Sequence, residues 1–319
     1  MNAAVVESFG KPPRYATFRE PGADAGGELV EVRAAALSNL VKGQASGRHY
    51  SSGGELPFVP GYDGVGTLPD RRRVYFFGPL APFGAMAEWS VAPASQTMLL
   101  PDEVDDVTAA ALGNPGLASW GALLGRARLQ AGESVLVNGA TGVAGQQAIQ
   151  VAKYLGARRV IATGRDEAVL EKLRELGADE TIRLHQPREV LVQAFRAALA
   201  GVDVVLDYVW GPSAECILEA AKGHGAPEGE RRIRYVQIGA IGGDPISVKG
   251  EWLRSSGLEL MGSGLGSLSA GAIMESLQAM YEAAASTGLK IDVEAVPLAE
   301  VETAWHRVAP TGRRIVFTM

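Results

Sequence analysis

Residues 134–156, SVLVNGATGVAGQQAIQVAKYLG, give the strongest indication of the fold. They predict an apolar strand around Val135 to Val137, then a glycine turn, then an amphipathic helix. A second apolar run, RVIAT at residues 159–163, closes a unit of about 30 residues with the spacing of a βαβ unit. We therefore expect parallel strands joined by a crossover helix.

The glycines of this turn predict an anion site. Gly139 and Gly142 permit a tight turn that brings backbone amides close to an anion, and Gly145 lets the helix pack closely on the strand. The unpaired N–H groups and the dipole of the new helix favour a pyrophosphate there. In the six-residue fingerprint G-x-G-x-x-G, the first glycine is replaced here by Ala140. The match therefore indicates a phosphate site only together with the flanking strand and helix, and a purely structural turn is the alternative. The predicted phosphate-binding residues are Gly139, Ala140, Thr141, Gly142, Val143 and Ala144.

The end of the second strand predicts which dinucleotide binds. NAD-binding proteins usually place a carboxylate here, on the ribose 2′-hydroxyl. This chain instead has Gly164 followed by Arg165, whose guanidinium can clamp a 2′-phosphate, so NADPH is favoured over NADH. Asp166 is either the ribose acceptor or, as we favour, the cap of a helix over residues 167–176. Lys153 is long enough to reach the same phosphate.

Composition excludes several classes of protein. A chain of 319 residues with 47% hydrophobic content can bury a large core and predicts two domains. Its net charge of −6 offers no basic footprint for nucleic acid. The single cysteine, Cys216, fits a reducing compartment, and no signal peptide or long apolar run is present. We expect a cytoplasmic protein that binds neither nucleic acid nor membranes.

Strand and helix patterns alternate from about residue 114 onward, which indicates a doubly wound parallel sheet. The residues before 114 instead predict short strands joined by Gly and Pro turns. Polar residues 222–232 predict a surface loop, residues 270–286 a long helix and residues 314–318 a final strand. The further strands predicted for the parallel sheet are residues 180–183, 202–207, 234–238 and 258–261.

The order of segments resembles the medium-chain dehydrogenase/reductase superfamily, in its zinc-free quinone oxidoreductase-like branch, over nearly the whole chain. The resemblance implies an α/β protein with a GroES-like β-barrel catalytic domain (residues 1–113 and 263–319) and a Rossmann NADP-binding domain with a doubly wound parallel sheet (residues 114–262). It also implies an active site in the cleft between the domains, and a homodimer joined along the last strand of the Rossmann sheet. The motifs that carry the resemblance are LPFVPGYDGVG (56–66), GAMAEW (84–89), GNPGLASWGAL (113–123), VLVNGATGVAG (135–145) and GRRIV (312–316).

The chain lacks the metal-ligating residues of zinc-dependent relatives. Those relatives place a cysteine near Asn39 and a histidine at the position of Tyr62, and a catalytic zinc needs three protein ligands. We therefore expect no metal in the site. Without a metal to stabilise an alkoxide, the substrate must already be an electrophile, and quinones and α,β-unsaturated carbonyls meet this requirement.

The resemblance also implies the catalytic residues, Tyr50 and Asn39. Tyr50 stands near the Gly-x-Tyr of related enoyl reductases, and its phenol can donate a hydrogen bond to an enolate or protonate it. An aromatic residue on a Ser/Gly loop is the alternative interpretation of Tyr50. Asn39 matches an asparagine near the nicotinamide in zinc-free relatives, while Trp120 is more typical of a core residue than of a pocket wall. The resemblance adds the cofactor contacts Asn114, Gly239, Ala240, Ile241, Gly262 and Ser263 and the substrate-pocket residues Tyr62, Gly264 and Leu265.

These observations favour a zinc-independent, NADPH-dependent oxidoreductase that transfers hydride to a small electrophile, a quinone or an enone. Two alternatives stay open: an NADPH-binding member without turnover that acts as a structural or regulatory protein, and an enoyl-thioester reductase. A short-chain dehydrogenase is excluded because no tyrosine is followed by lysine four positions later. A P-loop nucleotidase is excluded because its glycine-lysine motif is absent.

Overall fold

The structure is a computed structural model that describes residues 1–22, 26–49, 52, 55–223, 232–264, 266–307 and 310–319. These residues form two compact units. The first unit consists of Met1–Asn114 and Leu277–Met319, and the second is Pro115–Ser276.

The elements of the described chain are numbered in chain order. The strands are β1 (Asn2–Val5), β2 (Arg14–Thr17), β3 (Glu28–Ala36), β4 (Asp63–Thr67), β5 (Arg73–Phe77), β6 (Trp89–Ala92), β7 (Thr97–Leu99), β8 (Ser134–Asn138), β9 (Arg159–Gly164), β10 (Glu180–Arg183), β11 (Val204–Asp207), β12 (Arg232–Gln237), β13 (Gly257–Gly262), β14 (Asp292–Pro297) and β15 (Arg313–Thr318). The α-helices are α1 (Asn39–Ser46), α2 (Asp106–Trp120), α3 (Val143–Tyr154), α4 (Glu167–Lys172), α5 (Arg188–Leu199), α6 (Gly211–Ala220), α7 (Gly250–Arg254), α8 (Ala270–Thr287) and α9 (Val301–His306).

The second unit is built on a parallel sheet with the strand order β10-β9-β8-β11-β12-β13. This is the order of a Rossmann fold, in which the chain reverses direction across the sheet between β8 and β11. Every residue of β8 is buried, as expected for a central strand covered on both faces. One side of the core joins Leu136 and Val205 of the sheet to Phe195 of α5 and Ile217 of α6. The predicted doubly wound sheet is confirmed.

The first unit is built on a seven-stranded, largely antiparallel sheet. Its strand order is β14-β15-β3-β4-β5-β7, with β6 paired to the other part of β3. The last strand of the chain, β15, runs antiparallel to β3, with Val316 opposite Ala36. The C-terminal segment therefore returns to the N-terminal sheet, and the α/β fold class with one parallel and one antiparallel sheet is confirmed.

Most predicted elements outside the turn are present with small shifts. The helix expected over residues 167–176 is α4 followed by a 3-10 turn, Leu173–Leu176. The long helix predicted at 270–286 is α8. The strand predicted from Val202 begins at Val204. Most of the predicted loop 222–232 lies outside the described residues. None of the helices described above has the length and apolar character needed to cross a membrane.

Candidate functional site

The turn between β8 and α3 shapes the candidate site of the second unit. Gly139 leaves the strand with φ of 86°, a left-handed conformation that favours glycine. Gly142 is the N-cap residue of α3, and no side chain caps this helix. The first-turn N–H groups of an α-helix have no partner within the helix, so they remain donors for a ligand. This end of α3 has the chemistry of an anion site.

Two glycines of the turn have different surroundings. A Cβ built on Gly145 would lie 2.5 Å from both the Cα of Ala140 and the carbonyl oxygen of Gly139, so no side chain fits there. A Cβ on Gly142 would meet only the Gly139 oxygen, at 3.7 Å. Packing within the protein therefore requires glycine at 145 but not at 142. The space in front of Gly142 is open, which fits the close approach of a phosphate group to the turn.

Buried hydrogen bonds hold the turn from below. The backbone N–H of Gly139 donates to Oγ1 of Thr163 at 3.0 Å, and the Thr163 hydroxyl donates to Oδ1 of Asn138 at 2.8 Å. The Asn138 amide in turn donates to Oδ1 of Asp207 at 2.7 Å and to Oγ of Ser213 at 3.0 Å. A continuous chain of bonds thus links the carboxyl ends of β11, β8 and β9 to the turn. A network with all members paired rigidifies its surroundings.

Asp207 is the acceptor at the end of this chain. Besides Asn138, its carboxylate accepts from the backbone N–H groups of Val209 and Trp210 and from the hydroxyl of Tyr235. Burial raises the pKa of Asp207, and these hydrogen bonds act in the opposite direction. Burial and the neighbouring carboxylate also hold the pKa of Tyr235 well above its usual value, so the phenol remains a donor.

The end of β9 adjoins the turn and carries the predicted specificity residues. The Ala140 N–H donates to the Thr163 carbonyl at 2.8 Å, so the turn and this strand end are in direct contact. The Asp166 carboxylate accepts from the N–H groups of Ala168 and Val169 and is the N-cap of α4. Of the two roles considered for Asp166, the cap is confirmed. Arg165 is exposed beside it.

Lys153 does not share the position of Arg165. Its ammonium pairs with the carboxylate of Asp179 at 2.6 Å, and the same carboxylate accepts from the N–H of Val160 at the start of β9. Lys153 therefore lies at the amino ends of the strands, whereas Arg165 follows a carboxyl end.

The loop after β12 and the glycine turn after β8 both lie close to Tyr208, in the segment after β11. A Cβ on Gly239 would lie 2.7 Å from the carbonyl oxygen of Tyr208, and a Cβ on Gly139 would lie 3.6 Å from the Cβ of Tyr208. The phenol of Tyr208 shares a hydrogen bond of 2.9 Å with Ser119, and burial raises its pKa. Ala240 and Ile241 are exposed.

A cavity of about 380 Å³ opens beside this loop. The N–H of Ser263 donates to the Gln237 carbonyl, and the Gly262 carbonyl accepts from the Arg126 guanidinium, so the ends of β12 and β13 are tied together. The backbone N–H of Gly264 donates to the Ser267 hydroxyl, and that hydroxyl donates to the Gly264 carbonyl. The cavity is lined by Trp210, Tyr235, Gln237, Ala240, Asp244, Leu260, Met261 and Gly262.

The remaining predicted site residues belong to the first unit. Asn39 is exposed at the first position of α1, which Ser38 caps through a hydrogen bond to the Val41 N–H. Tyr62 packs against the core of this unit, with its ring 6.4 Å from that of Phe77. Asn114, the last residue of this part of the unit, is half-buried on α2. Tyr50 and Leu265 lie outside the described residues.

A buried charged cluster follows Tyr62 in the first unit. Asp63 accepts a hydrogen bond of 2.9 Å from the Tyr75 hydroxyl, and it faces the charge of Arg314. Burial raises the pKa of Asp63, and the charge of Arg314 opposes this shift. The Tyr75 hydrogen bond joins β4 to β5 inside the core of this unit.

Two further results concern residues that the sequence singled out. Trp120 of the second unit is 2% exposed, as a core residue is, and its ring contacts that of Tyr154 at a tilted angle, with 5.6 Å between the ring centroids. No group of three or more His, Cys, Asp or Glu side chains that could hold a metal ion occurs among the residues that the structure describes.

Sequence reasoning missed Asn138, Thr163 and Asp207, the residues that hold the turn. Each stands at or next to the end of an apolar strand. Since the carboxyl ends of parallel strands meet at one edge of the sheet, polar residues at these positions were a usable signal.

Comparisons with known proteins agree with this geometry. A family model described as "Zinc-binding dehydrogenase" matches residues 144–286. The chain is 28% identical, over 99% of both proteins, to the "Probable NADPH-dependent quinone reductase tdiC" of Emericella nidulans, and 31% identical to a quinone oxidoreductase of Rattus norvegicus over 56% of both. The structure is similar to that of the quinone oxidoreductase of Thermus thermophilus, which is also described in complex with NADPH, at a TM-score of 0.81 and 27% identity over 100% of both chains.

Proposed function

We propose that the chain is a member of the medium-chain dehydrogenase/reductase superfamily, in its quinone-reductase-like branch, and that it is an NADPH-dependent oxidoreductase acting on small electrophiles. Its substrate class is the quinones and α,β-unsaturated carbonyls. The observation that carries the proposal is the uncapped, open turn between β8 and α3, set at the point where the sheet order reverses. Dinucleotides bind at this point in open parallel sheets.

The cofactor is held by the turn and by the end of β9. The turn residues 139–144 supply backbone N–H groups for the pyrophosphate, and the open face of Gly142 admits it. Gly164 and Arg165 take the 2′-phosphate end. Oδ1 of Asp166 accepts the two capping N–H groups of α4, which favours its role as a helix cap over that of a ribose acceptor. The loop residues Gly239, Ala240, Ile241, Gly262 and Ser263, with Asn114, complete the nicotinamide side.

NADPH, when bound, supplies the hydride. The chain itself has to orient the acceptor and place a hydrogen-bond donor near the oxygen on which negative charge develops. We assign that donor to Tyr50 and the orienting amide to Asn39, with Tyr62, Gly264 and Leu265 on the substrate side. Zinc-dependent relatives carry a cysteine near the position of Asn39 and a histidine at that of Tyr62, and neither residue type here is a usual zinc ligand. We therefore propose that turnover does not depend on zinc.

The test is NADPH oxidation followed at its absorbance band with a panel of quinones, enals, enones and enoyl thioesters. We expect turnover with quinones or enones, with NADH much less effective, and no loss of rate after exhaustive chelation. Tight NADPH binding without turnover on any acceptor would favour the structural or regulatory alternative. Turnover restricted to enoyl thioesters would favour the enoyl-thioester reductase.

Tyr50→Phe separates the two acceptor classes. We expect enone turnover to fall more than quinone turnover, since a quinone gives an aromatic product that needs less stabilisation by a donor. Equal rates for the variant and the parent enzyme on both acceptors would remove Tyr50 from the mechanism.

We also propose a cytoplasmic homodimer joined along β13. This strand is the last of the parallel sheet, and its Leu260 is 42% exposed. Exposed sheet edges are usually paired or covered. The single cysteine suits a reducing compartment. Light scattering during size-exclusion chromatography tests the assembly.

A further inference from the structure

The strand β10 places a second arginine beside the end of β9. In the parallel register of these strands Arg183 is opposite Gly164, and the N–H of Leu184 donates to the Gly164 carbonyl at 2.7 Å. Paired strands lie about 4.8 Å apart, within reach of a long side chain. Gly164 is therefore flanked by Arg165 along the chain and by Arg183 across the sheet. The sequence did not indicate this pairing, because 18 residues separate the two arginines.

Arg183 is already engaged by a carboxylate. Its Nη1 lies 3.5 Å from Oε2 of Glu167, the first residue of α4, and the two side chains are 49% and 76% exposed. Within the described chain, no carboxylate lies within 4.0 Å of the Arg165 guanidinium. The three side chains thus form a group at one strand end, in which one arginine is available and the other is paired.

We propose that Arg183 is a second guanidinium of the 2′-phosphate subsite and that Glu167 occupies it until the phosphate displaces the carboxylate. This inference rests on the proposed function and deepens it, since it names the residues that set the preference for NADPH. Glu167 then acts against NADPH in two ways. It competes for Arg183, and its own negative charge repels the phosphate.

The relative strength of the two interactions makes the exchange favourable. An exposed ion pair contributes little, because water screens it and two flexible side chains must be ordered. A phosphate carries nearly two negative charges and several acceptor oxygens, and it can accept two bonds from one guanidinium. NADH has an uncharged hydroxyl at this position, so its binding does not displace Glu167 from Arg183.

The first test is Arg183→Gln, with binding of NADPH and NADH measured by isothermal titration calorimetry on the full chain. We expect the NADPH Kd to rise about ten-fold, the usual effect of losing a hydrogen bond to a charged group. The NADH Kd should change less than two-fold. Arg183→Lys keeps the charge and should recover part of the loss. An equal effect on both cofactors, or none, overturns the assignment of Arg183.

The second test has the opposite sign. Glu167→Gln should lower the NADPH Kd about three-fold, in keeping with the strength of an exposed ion pair, and leave NADH unchanged. In the Arg183→Gln background the gain should shrink, because part of it acts through Arg183. If Glu167→Gln leaves NADPH binding unchanged or weakens it, the displacement is wrong.

A neighbouring ion pair gives a matched control. Arg174 and Glu171 lie further along the same helical segment, 3.3 Å apart, with 47% and 64% exposure. Arg174→Gln and Glu171→Gln should leave both cofactors unaffected. The outcomes also separate this inference from the function it rests on. If wild-type protein oxidises NADPH in preference to NADH and Arg183→Gln leaves that preference unchanged, only the role of Arg183 fails. If NADPH does not bind, the proposed function fails.

Discussion

The turn between β8 and α3 is held by buried hydrogen bonds, whereas the adjoining end of β9 presents exposed charges. Thr163 and Asn138 beneath the turn are fully buried, while Arg183 and Glu167 at the strand end are about half and three-quarters exposed. In the proposed complex the turn would face the pyrophosphate, which all dinucleotides share, and the strand end would face the 2′ position, at which NADPH and NADH differ. Buried bonds keep a geometry constant, and exposed charges can change specificity without disturbing the fold.

The largest expected effect is that of Gly145→Ala. The added methyl group meets Ala140 and Gly139 at 2.5 Å, so the helix must move away from the turn. We expect a loss of about 2–3 kcal/mol in the free energy of unfolding, as for an overpacked core, measured by urea denaturation. Gly142→Ala is the control. It should cost about 1 kcal/mol or less, yet weaken binding of both cofactors, because the methyl group fills the open face of the turn.

The next effect is that of Thr163→Val. This substitution keeps the shape but removes the acceptor of the Gly139 N–H and the donor to Asn138. Leaving buried groups unpaired should cost about 2 kcal/mol in unfolding free energy. The affinities for NADPH and NADH should fall by the same factor. Thr163→Ser should restore most of the lost stability and most of the lost affinity. A loss of affinity for NADPH alone would contradict the separate roles proposed for the turn and for the end of β9.

Arg165→Ala should behave in the opposite way. We expect the NADPH Kd to rise at least ten-fold, or about 1.4 kcal/mol, with NADH changed less than two-fold. The melting temperature should not move, since Arg165 is exposed and makes no ion pair within the described chain. Equal weakening of both cofactors contradicts the 2′-phosphate assignment. Raising the salt concentration should reduce the wild-type preference for NADPH, because exposed charges are screened.

The smallest effect is the pH dependence contributed by Asp207. Burial raises the pKa of this carboxyl in the folded chain above its ordinary value of 3.8, so the folded chain holds the proton more tightly than the unfolded chain. Its contribution to stability is full at low pH and declines as the pH rises from that ordinary value through the raised one. Asp207→Asn keeps the acceptor oxygen and should remove this decline. Denaturation curves across that interval, compared with wild type, measure it, and identical slopes would show that Asp207 carries no such shift.

Much of the second unit could be predicted because its signals are local. The apolar runs of β8 and β9 and the glycine turn lie within single short segments, and their order alone indicates a parallel sheet. The role of Asp166 was also local, since a cap bonds to the N–H groups two and three residues ahead. The assignments of Tyr50, Asn39 and the loop residues stay predictions, because they depend on a cofactor and substrate that meet side chains from distant segments.

The fold class and the glycine turn between β8 and α3 could be predicted from the amino-acid sequence, because strand periodicity and glycine conformation are properties of neighbouring positions. The roles of that turn and of Arg165 in cofactor binding stay predictions. The residues that support the turn and those that surround Arg165 come together only through long-range contacts in the folded chain. Asn138 and Asp207 are 69 residues apart and Gly139 and Thr163 are 24 apart, and they meet because parallel strands align their carboxyl ends. Arg183 reaches the same edge through the register of β10 on β9, and no spacing along the chain encodes that register.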